Sequence, residues 1–185
     1  AYGRLFWMVD AYTYSHLFPY SEPVKWGNVQ LNYIRNSVKA VVDAYDGDVR
    51  FYIVDPNDPI IRTYASIFPK LFKPFSKMPR RLREHIRYPV DLFWIQANNY
   101  CKYHMTMPEQ FYNREDEWEI AYELFGATSS SQSAARNKQR IEPYYVIMRP
   151  PGFERLEFML MLPFTPTRKD NTIAWMAARC DVPHY

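Results

Sequence analysis

The chain has 185 residues, of which 48% are hydrophobic and 18% aromatic, and its formal net charge is +3. This length and composition suit one folded domain and exclude a globally disordered chain. The small net charge gives no indication of a nucleic-acid partner. The longest unbroken apolar run, Ile173 to Ala178, is too short to span a bilayer, so the segment is expected to be soluble.

The first predicted elements are a strand from Leu5 to Tyr14 and a helix from Val29 to Asp46. The strand contains β-prone residues in partial alternation. In the helix, apolar residues recur at three- and four-residue steps, which favours one buried stripe. Asn28 is the expected N-cap, and Gly47 is expected to end the helix in the left-handed conformation.

The segment from Val49 to Val54 follows as a strand that is apolar on both faces. Such a strand prefers the interior of a sheet that helices cover, so we expect it to lie centrally. Asp58 is the expected N-cap of the next helix, with Pro59 at its first position.

Prolines divide the middle of the chain into further predicted helices. Pro79 opens a short basic helix, and a longer helix is expected from Val90 to His104. Thr106 and Glu109 have the spacing of a capping box. Another short helix is expected from Glu115 to Leu124.

The composition changes from Gly126 to Arg140, where the chain is small and polar and is expected to form a flexible loop. Strands are expected from Tyr144 to Arg149 and from Leu156 to Leu162, joined as a hairpin. Ile173 to Cys180 is expected to be the last strand. The predicted fold class is α+β: a single domain over residues 1–185, with a mainly antiparallel sheet of about four or five strands packed against four or five helices.

An acidic cluster provides the best candidates for catalysis: Glu115, Asp116, Glu117 and Glu119. On a helix, Glu115 and Glu119 would lie on one face and could act as an acid–base pair. The neighbouring rings of Tyr112 and Trp118 could stack on a sugar. The alternative, which we favour, is that these carboxylates stabilise a helix N-terminus.

A basic segment contains Arg80, Arg81, Arg83 and Arg87 and could bind an anionic lipid surface or a polyanion, although a solvated helix face is the explanation that we favour. The four histidines have no metal-site spacing, and Asp55, Asn57 and Asp58 begin like a calcium loop that Pro59 then interrupts. No metal or cofactor is therefore predicted. Cys101 and Cys180 could form one bridge, but two buried free thiols are the favoured interpretation.

Six stretches together resemble uncharacterised protein family 0182: WMVDAYTYS, NYIRNSVKAVVDAYDG, FYIVDPNDPIIRTY, FYNREDEWE, LPFTP and IAWMAARCD. The resemblance implies a central piece of the soluble region of a large multi-pass membrane protein. It implies no particular activity and supplies no functional residues.

Two functional hypotheses follow. In the first, the segment is a non-enzymatic binding or scaffolding domain that faces away from the cytoplasm, and its partners are other segments of the parent chain or envelope proteins. In the second, it is a cell-envelope hydrolase that acts on a glycan or peptide through the 115–119 cluster.

Self-association is expected through the C-terminal strands, because the resemblance implies a further strand after the last match, and without that strand one sheet edge would be unpaired. The alternative is that Val182 to Tyr185 folds back and covers this edge.

Overall fold

The structure is a computed structural model that describes residues 3–124 and 138–181. Within these ranges the chain forms twelve strands and four α-helices, and the sheets are mostly antiparallel. The α+β class is confirmed, although the strands are far more numerous than expected. The Cα positions divide the chain into two compact units, one up to Leu92 and one from Phe93 onward. The single domain over residues 1–185 stays a prediction.

The first unit contains six strands and two helices, together with a 3-10 turn over Phe75–Lys77. In chain order they are β1 (Phe6–Ser15), β2 (Val24–Trp26), β3 (Val29–Leu31), β4 (Tyr33–Asp43), β5 (Val49–Ile53), α1 (Pro59–Ile67), β6 (Phe72–Pro74) and α2 (Arg80–Arg83).

Four of these strands form one sheet in the order β1-β4-β5-β6. The pairs β1–β4 and β4–β5 are antiparallel, and β6 joins β5 in parallel. The expected central position of the strand that begins at Val49 is confirmed. Strands β2 and β3 form a separate hairpin whose two-residue loop is Gly27 and Asn28, with Gly27 at φ +58°.

The predicted helix from Val29 to Asp46 is wrong, because this segment forms β3 and β4. Every residue from Asn36 to Val41 is buried, so this part of β4 is covered on both faces and shows no simple alternation of polar and apolar residues. A strand that is buried on both faces can place apolar residues at three- and four-residue steps as readily as a helix does. The valines of this segment favour the strand, because β-branched side chains pack well on a pleated surface.

The predicted caps have different outcomes. Asn28 lies in a hairpin loop and caps no helix. Gly47 has the expected left-handed φ of +74°, but it lies in the turn between β4 and β5, where its N–H donates to the carbonyl of Asp43. Asp58 is the N-cap of α1, with Pro59 at the first position, as predicted.

The remaining elements are two helices and six strands. They are α3 (Val90–Tyr103), α4 (Pro108–Asn113), β7 (Trp118–Ile120), β8 (Tyr122–Leu124), β9 (Lys138–Arg140), β10 (Tyr144–Met148), β11 (Glu157–Pro166) and β12 (Ala174–Arg179). The basic helix after Pro79, the helix that begins at Val90, the C-terminal hairpin and the last strand are confirmed.

Strand β11 is the centre of the second unit. One side of it pairs with β12, and the other side pairs first with β10 and then, beyond Pro163, with β7. All of these pairs are antiparallel. Its residues Met159, Leu160, Leu162 and Phe164 are at most 1% exposed and form the core of this unit.

Three predictions for the second unit are wrong. Residues Glu115 to Leu124 contain β7 and β8 rather than a helix, because the pairing of Trp118 and Ile120 with β11 outweighs the local helix signals. Thr106 forms no capping box, since the N-cap of α4 is Met107. The flexible loop predicted for Gly126 to Arg140 lies outside the described residues up to residue 137, and its end, Lys138–Arg140, is β9, which pairs with β8.

Candidate functional site

The carboxylates of the 115–119 cluster lie on both sides of the entry into β7 and do not share a helix face. Glu115 is exposed, and its Oε1 accepts a hydrogen bond from Asn113 Nδ2 at 3.0 Å. Glu119 lies on β7, and its Oε1 accepts a hydrogen bond from the backbone N–H of Arg168 at 3.1 Å. The acid–base pair that a helix would have created between Glu115 and Glu119 is not formed.

Trp118 is packed against other rings. It stacks on His104 with the ring centroids 3.7 Å apart and the planes 18° apart, and Phe164 lies 5.7 Å away. The two ring nitrogens of His104 lie 3.0 Å from the carbonyl oxygen of Tyr100 and 2.9 Å from that of Asp116. Trp118 therefore helps to attach β7 to α3.

A small open pocket of about 330 Å³ lies beside Trp118. Its lining combines two carboxylates, two cationic side chains and a thiol with neutral residues: Asn98, Cys101, Lys102, Glu117, Trp118, Glu119, Ile120, Arg140 and Thr167. Of the predicted candidates, the pocket brings together Trp118 and Glu119. It does not include Glu115, Asp116 or Tyr112, and Tyr112 is 88% exposed on α4.

Most of the residues that line this pocket are polar or charged. Burial raises the pKa of the Cys101 thiol to about 11, so Cys101 is not a thiolate near neutral pH. The carboxylate of Glu119 accepts a hydrogen bond from the backbone N–H of Arg168. The backbone carbonyl of Glu117 accepts hydrogen bonds from the hydroxyl and the backbone N–H of Thr167. Cys101 and Cys180 are both free and buried, as predicted. Across residues 3–124 and 138–181, no three His, Cys, Asp or Glu side chains form a group that could hold a metal ion.

The four arginines of the basic segment have different surroundings. Arg80 forms an ion pair with Glu84 at 3.0 Å. Arg83 is half-buried, and its guanidinium carbon lies 5.8 Å from the centre of the Phe75 ring. Arg81 and Arg87 are exposed, and both make further contacts. Binding of an anionic lipid surface by these residues stays a prediction.

The most extensive polar network of the first unit is centred on Asp58, whose role beyond capping was not predicted. The carboxylate is 2% exposed and accepts hydrogen bonds from the hydroxyl groups of Thr13, Tyr33 and Ser37 at 2.6, 2.7 and 2.7 Å. It also accepts hydrogen bonds from two backbone N–H groups of α1. Burial alone would raise the pKa of Asp58, but the bonds from the three hydroxyl groups outweigh burial and lower it.

Lys39 was also missed. Its side chain is 2% exposed, forms an ion pair with Asp10 and donates a hydrogen bond to the carbonyl oxygen of Arg87 at 3.2 Å. Its burial could have been predicted, because a single lysine lies inside the otherwise apolar run from Val38 to Val42 and this run forms a strand that is buried on both faces.

The described residues form an α+β segment in which Glu115 and Glu119 accept hydrogen bonds from Asn113 and from the backbone of Arg168. The family model of the uncharacterised protein family UPF0182 matches residues 1–185. The chain belongs to this family.

Individual relatives agree with this assignment. A UPF0182 protein of Methanospirillum hungatei is 56% identical over 186 residues, which cover 99% of this chain and 20% of that protein. The UPF0182 proteins of Sulfurovum sp. and Moorella thermoacetica are 54% and 53% identical, and each match covers 99% of this chain and 19% of the relative. The chain thus spans about a fifth of the length of the curated relatives it matches. No solved structure matches this chain at a significant level.

Within residues 3–124 and 138–181, no helix combines the length and apolar character needed to cross a bilayer.

Proposed function

We propose that this segment is a non-catalytic binding or scaffolding part of a larger multi-pass membrane protein, and that it faces away from the cytoplasm. The observation that carries the proposal is the use of the candidate catalytic side chains in local structure. Glu119 accepts a hydrogen bond from the backbone of Arg168, and Trp118 stacks on His104. The segment's small share of its relatives' length supports a role within a larger polypeptide, and the resemblance drawn from the sequence supports a membrane-anchored parent.

A neutralised variant tests the non-catalytic role. The full-length parent and its E115Q/D116N/E119Q variant would be incubated with cell-wall glycans and with a peptide library, and products would be measured by mass spectrometry. We expect no product from either protein, because Glu115 and Glu119 each accept a hydrogen bond from local structure. A product formed by the parent and not by the variant would overturn the proposal.

Labelling of intact cells tests the side of the membrane. Tyr112 is 88% exposed, whereas Cys101 and Cys180 are buried, so Y112C adds one accessible thiol to this segment. A membrane-impermeant maleimide should label Y112C in intact cells more strongly than it labels the unsubstituted parent. Labelling that requires cell lysis would place the segment in the cytoplasm.

A further inference from the structure

We propose that one face of the four-stranded sheet in the first unit is the docking surface for an amphipathic helix of the parent polypeptide, supplied by a part that lies outside these 185 residues. The inference rests on the proposed function, because it names a partner for a binding or scaffolding segment. The docking surface itself is defined by the register, burial and composition of the first unit alone.

The register defines a continuous apolar face. Side chains of directly paired residues lie on the same side of a sheet. Trp7 of β1 pairs with Val42 of β4, which pairs with Val49 of β5. In the next row, Val9 pairs with Ala40, Ala40 pairs with Phe51, and Phe51 pairs with Phe72 of β6. We name the open apolar face by its larger side chains: Trp7, Val9, Val42, Val49, Phe51 and Phe72.

Helix α1 covers only one end of this side of the sheet. Ala65 of α1 lines an apolar cavity of about 430 Å³ together with Ile53 and Phe72, which fixes the helix on this side. A nine-residue helix is only about 13 Å long, whereas the eleven residues of β4 extend over about 37 Å. At the uncovered end, Trp7 is 69% exposed, Val9 52% and Val49 46%.

The opposite side of the same sheet is covered. Lys39, Val41 and Tyr52 point to that side and are each at most 2% exposed. Lys39 donates to the carbonyl oxygen of Arg87, which places the chain after α2 over them. The sheet is therefore covered at Lys39, Val41 and Tyr52 on one side, whereas on the other side a short helix covers only one end. A sheet with an apolar face is stable when a second layer covers it.

Three observations identify the occupant. The open apolar face carries no charged side chain, so it does not suit a nucleic acid or an anionic headgroup. A helix already lies on this side, and a second helix can pack beside it at a spacing of about 8–10 Å. The chain spans about a fifth of the length of its relatives, so roughly four fifths of the parent polypeptide is covalently tethered nearby. Tethering raises the effective concentration of a docking helix to about the millimolar range.

Thiol labelling tests this surface. V49C lies on the open apolar face, and Y144C is the matched control, because Val49 and Tyr144 are both 46% exposed and Tyr144 lies on β10 in the other unit. The labelling rate by a maleimide would be measured for both variants in the 185-residue segment and in the full-length parent. We expect the ratio of the V49C rate to the Y144C rate to fall at least tenfold in the parent. An unchanged ratio would overturn the proposal. Trp7→Cys is a second position on the same face, for the case that V49C disturbs the fold.

Crosslinking identifies the occupant. A benzophenone maleimide attached to V49C in the full-length parent would be photolysed, and the crosslinked peptide would be identified by mass spectrometry. We expect a peptide from outside residues 1–185 with apolar residues at three- and four-residue spacing. A peptide from a second copy of this segment, from another protein or from an extended strand would overturn the proposal. An unchanged labelling ratio would leave the non-catalytic role intact, since that role is tested separately by the E115Q/D116N/E119Q variant.

Discussion

Asp58 links three parts of the first unit through one carboxylate. Thr13 lies on β1, Ser37 lies on β4, and the two backbone donors belong to the first turn of α1. A buried carboxylate with this many donors has its charge fully satisfied. Its removal therefore breaks the connection between the sheet and the helix as well as the helix cap.

We expect D58N to lower the free energy of unfolding of the first unit by about 2–3 kcal/mol, because an amide accepts fewer of these hydrogen bonds and carries no charge. The control is D55N, since Asp55 accepts a hydrogen bond from the backbone N–H of Asn57 within the same turn. Urea unfolding would measure both variants. Equal stability of D58N and D55N would contradict this role of Asp58.

The same variant should change the response to acid. Because the pKa of Asp58 is lowered in the folded state, its contribution is fully present above the ordinary aspartate pKa of about 3.9. The contribution is lost as the pH falls through the lowered folded-state pKa. The difference in unfolding free energy between the parent sequence and D58N should therefore shrink as the pH falls below about 4.

Tyr33 gives a prediction at the alkaline end. Burial, and then the hydrogen bond to Asp58, raise the pKa of Tyr33 to about 12. The neutral phenol thus contributes stability that is fully present below the ordinary tyrosine pKa of about 10 and is lost as the pH rises toward 12. We expect the stability difference between the parent sequence and Y33F to decrease over this range. The control is Y112F, which alters an 88% exposed tyrosine. Unfolding curves at several pH values would measure both.

At the scale of single residues, the sequence was informative wherever the chemistry is local. The Asp-Pro pair at positions 58 and 59 predicted a cap, because the donors follow within three residues. The three hydroxyl donors to Asp58 were not predictable, since they are 21 to 45 residues away in the chain. The contacts of Trp118 were not predictable for the same reason. Its ring stacks on His104 and its backbone pairs with β11, and no local sequence spacing indicates these contacts.

Among the elements, β4 shows where periodicity fails. A strand covered on both faces has no polar side, so its hydrophobic pattern carries no period of two. The β-branched content of Val38, Val41 and Val42 was the better indicator. The hairpin of β2 and β3 could also have been predicted from the sequence, since short runs that contain apolar residues flank the Gly-Asn pair at positions 27 and 28.

Strand β12 is the strand through which we expect the predicted self-association to occur. Within the described residues it pairs with β11 alone, and its Trp175 is 43% exposed. An uncovered edge strand can add a strand from another chain. We expect the 185-residue segment to dimerise with increasing concentration, and W175K to weaken this dimer at least tenfold by placing a charge on the edge.

The matched control is Y144K on β10, where Tyr144 has a similar exposure of 46%. Light scattering over a concentration series would measure all three proteins. A segment that stays monomeric throughout the series, or a dimer that Y144K weakens as much as W175K does, would count against association through β12.

For the whole molecule, the class was predictable although several elements were not. The C-terminal hairpin, the strand at Val49 and the helices after Pro79 and Pro89 were enough to indicate α+β. The number of strands was underestimated because six of the twelve described strands have only three residues, which is too short for a periodic signal.

The balance of secondary structure is a direct check on this architecture. Of the residues that the structure describes, 39% lie in strands and 22% in helices. We expect the amide I infrared band of the segment to be dominated by strand absorption, with helix as the smaller component. A spectrum in which helix exceeds strand would contradict the assignment of Tyr33–Asp43 to β4 and of most other strands.

The change of partner along β11 has a consequence for the order in which the second unit folds. Met148 pairs with Glu157 in the β10–β11 hairpin, and Ile120 of β7 pairs with Phe164 on the same side of β11. The number of residues between the first pair is about a fifth of the number between the second pair. Loop closure for β7 therefore costs roughly 1.5 kcal/mol more entropy. The hairpin should form first and present a template on which β7 docks late. In pulsed hydrogen exchange during refolding, the amides of β10 would become protected before those of β7.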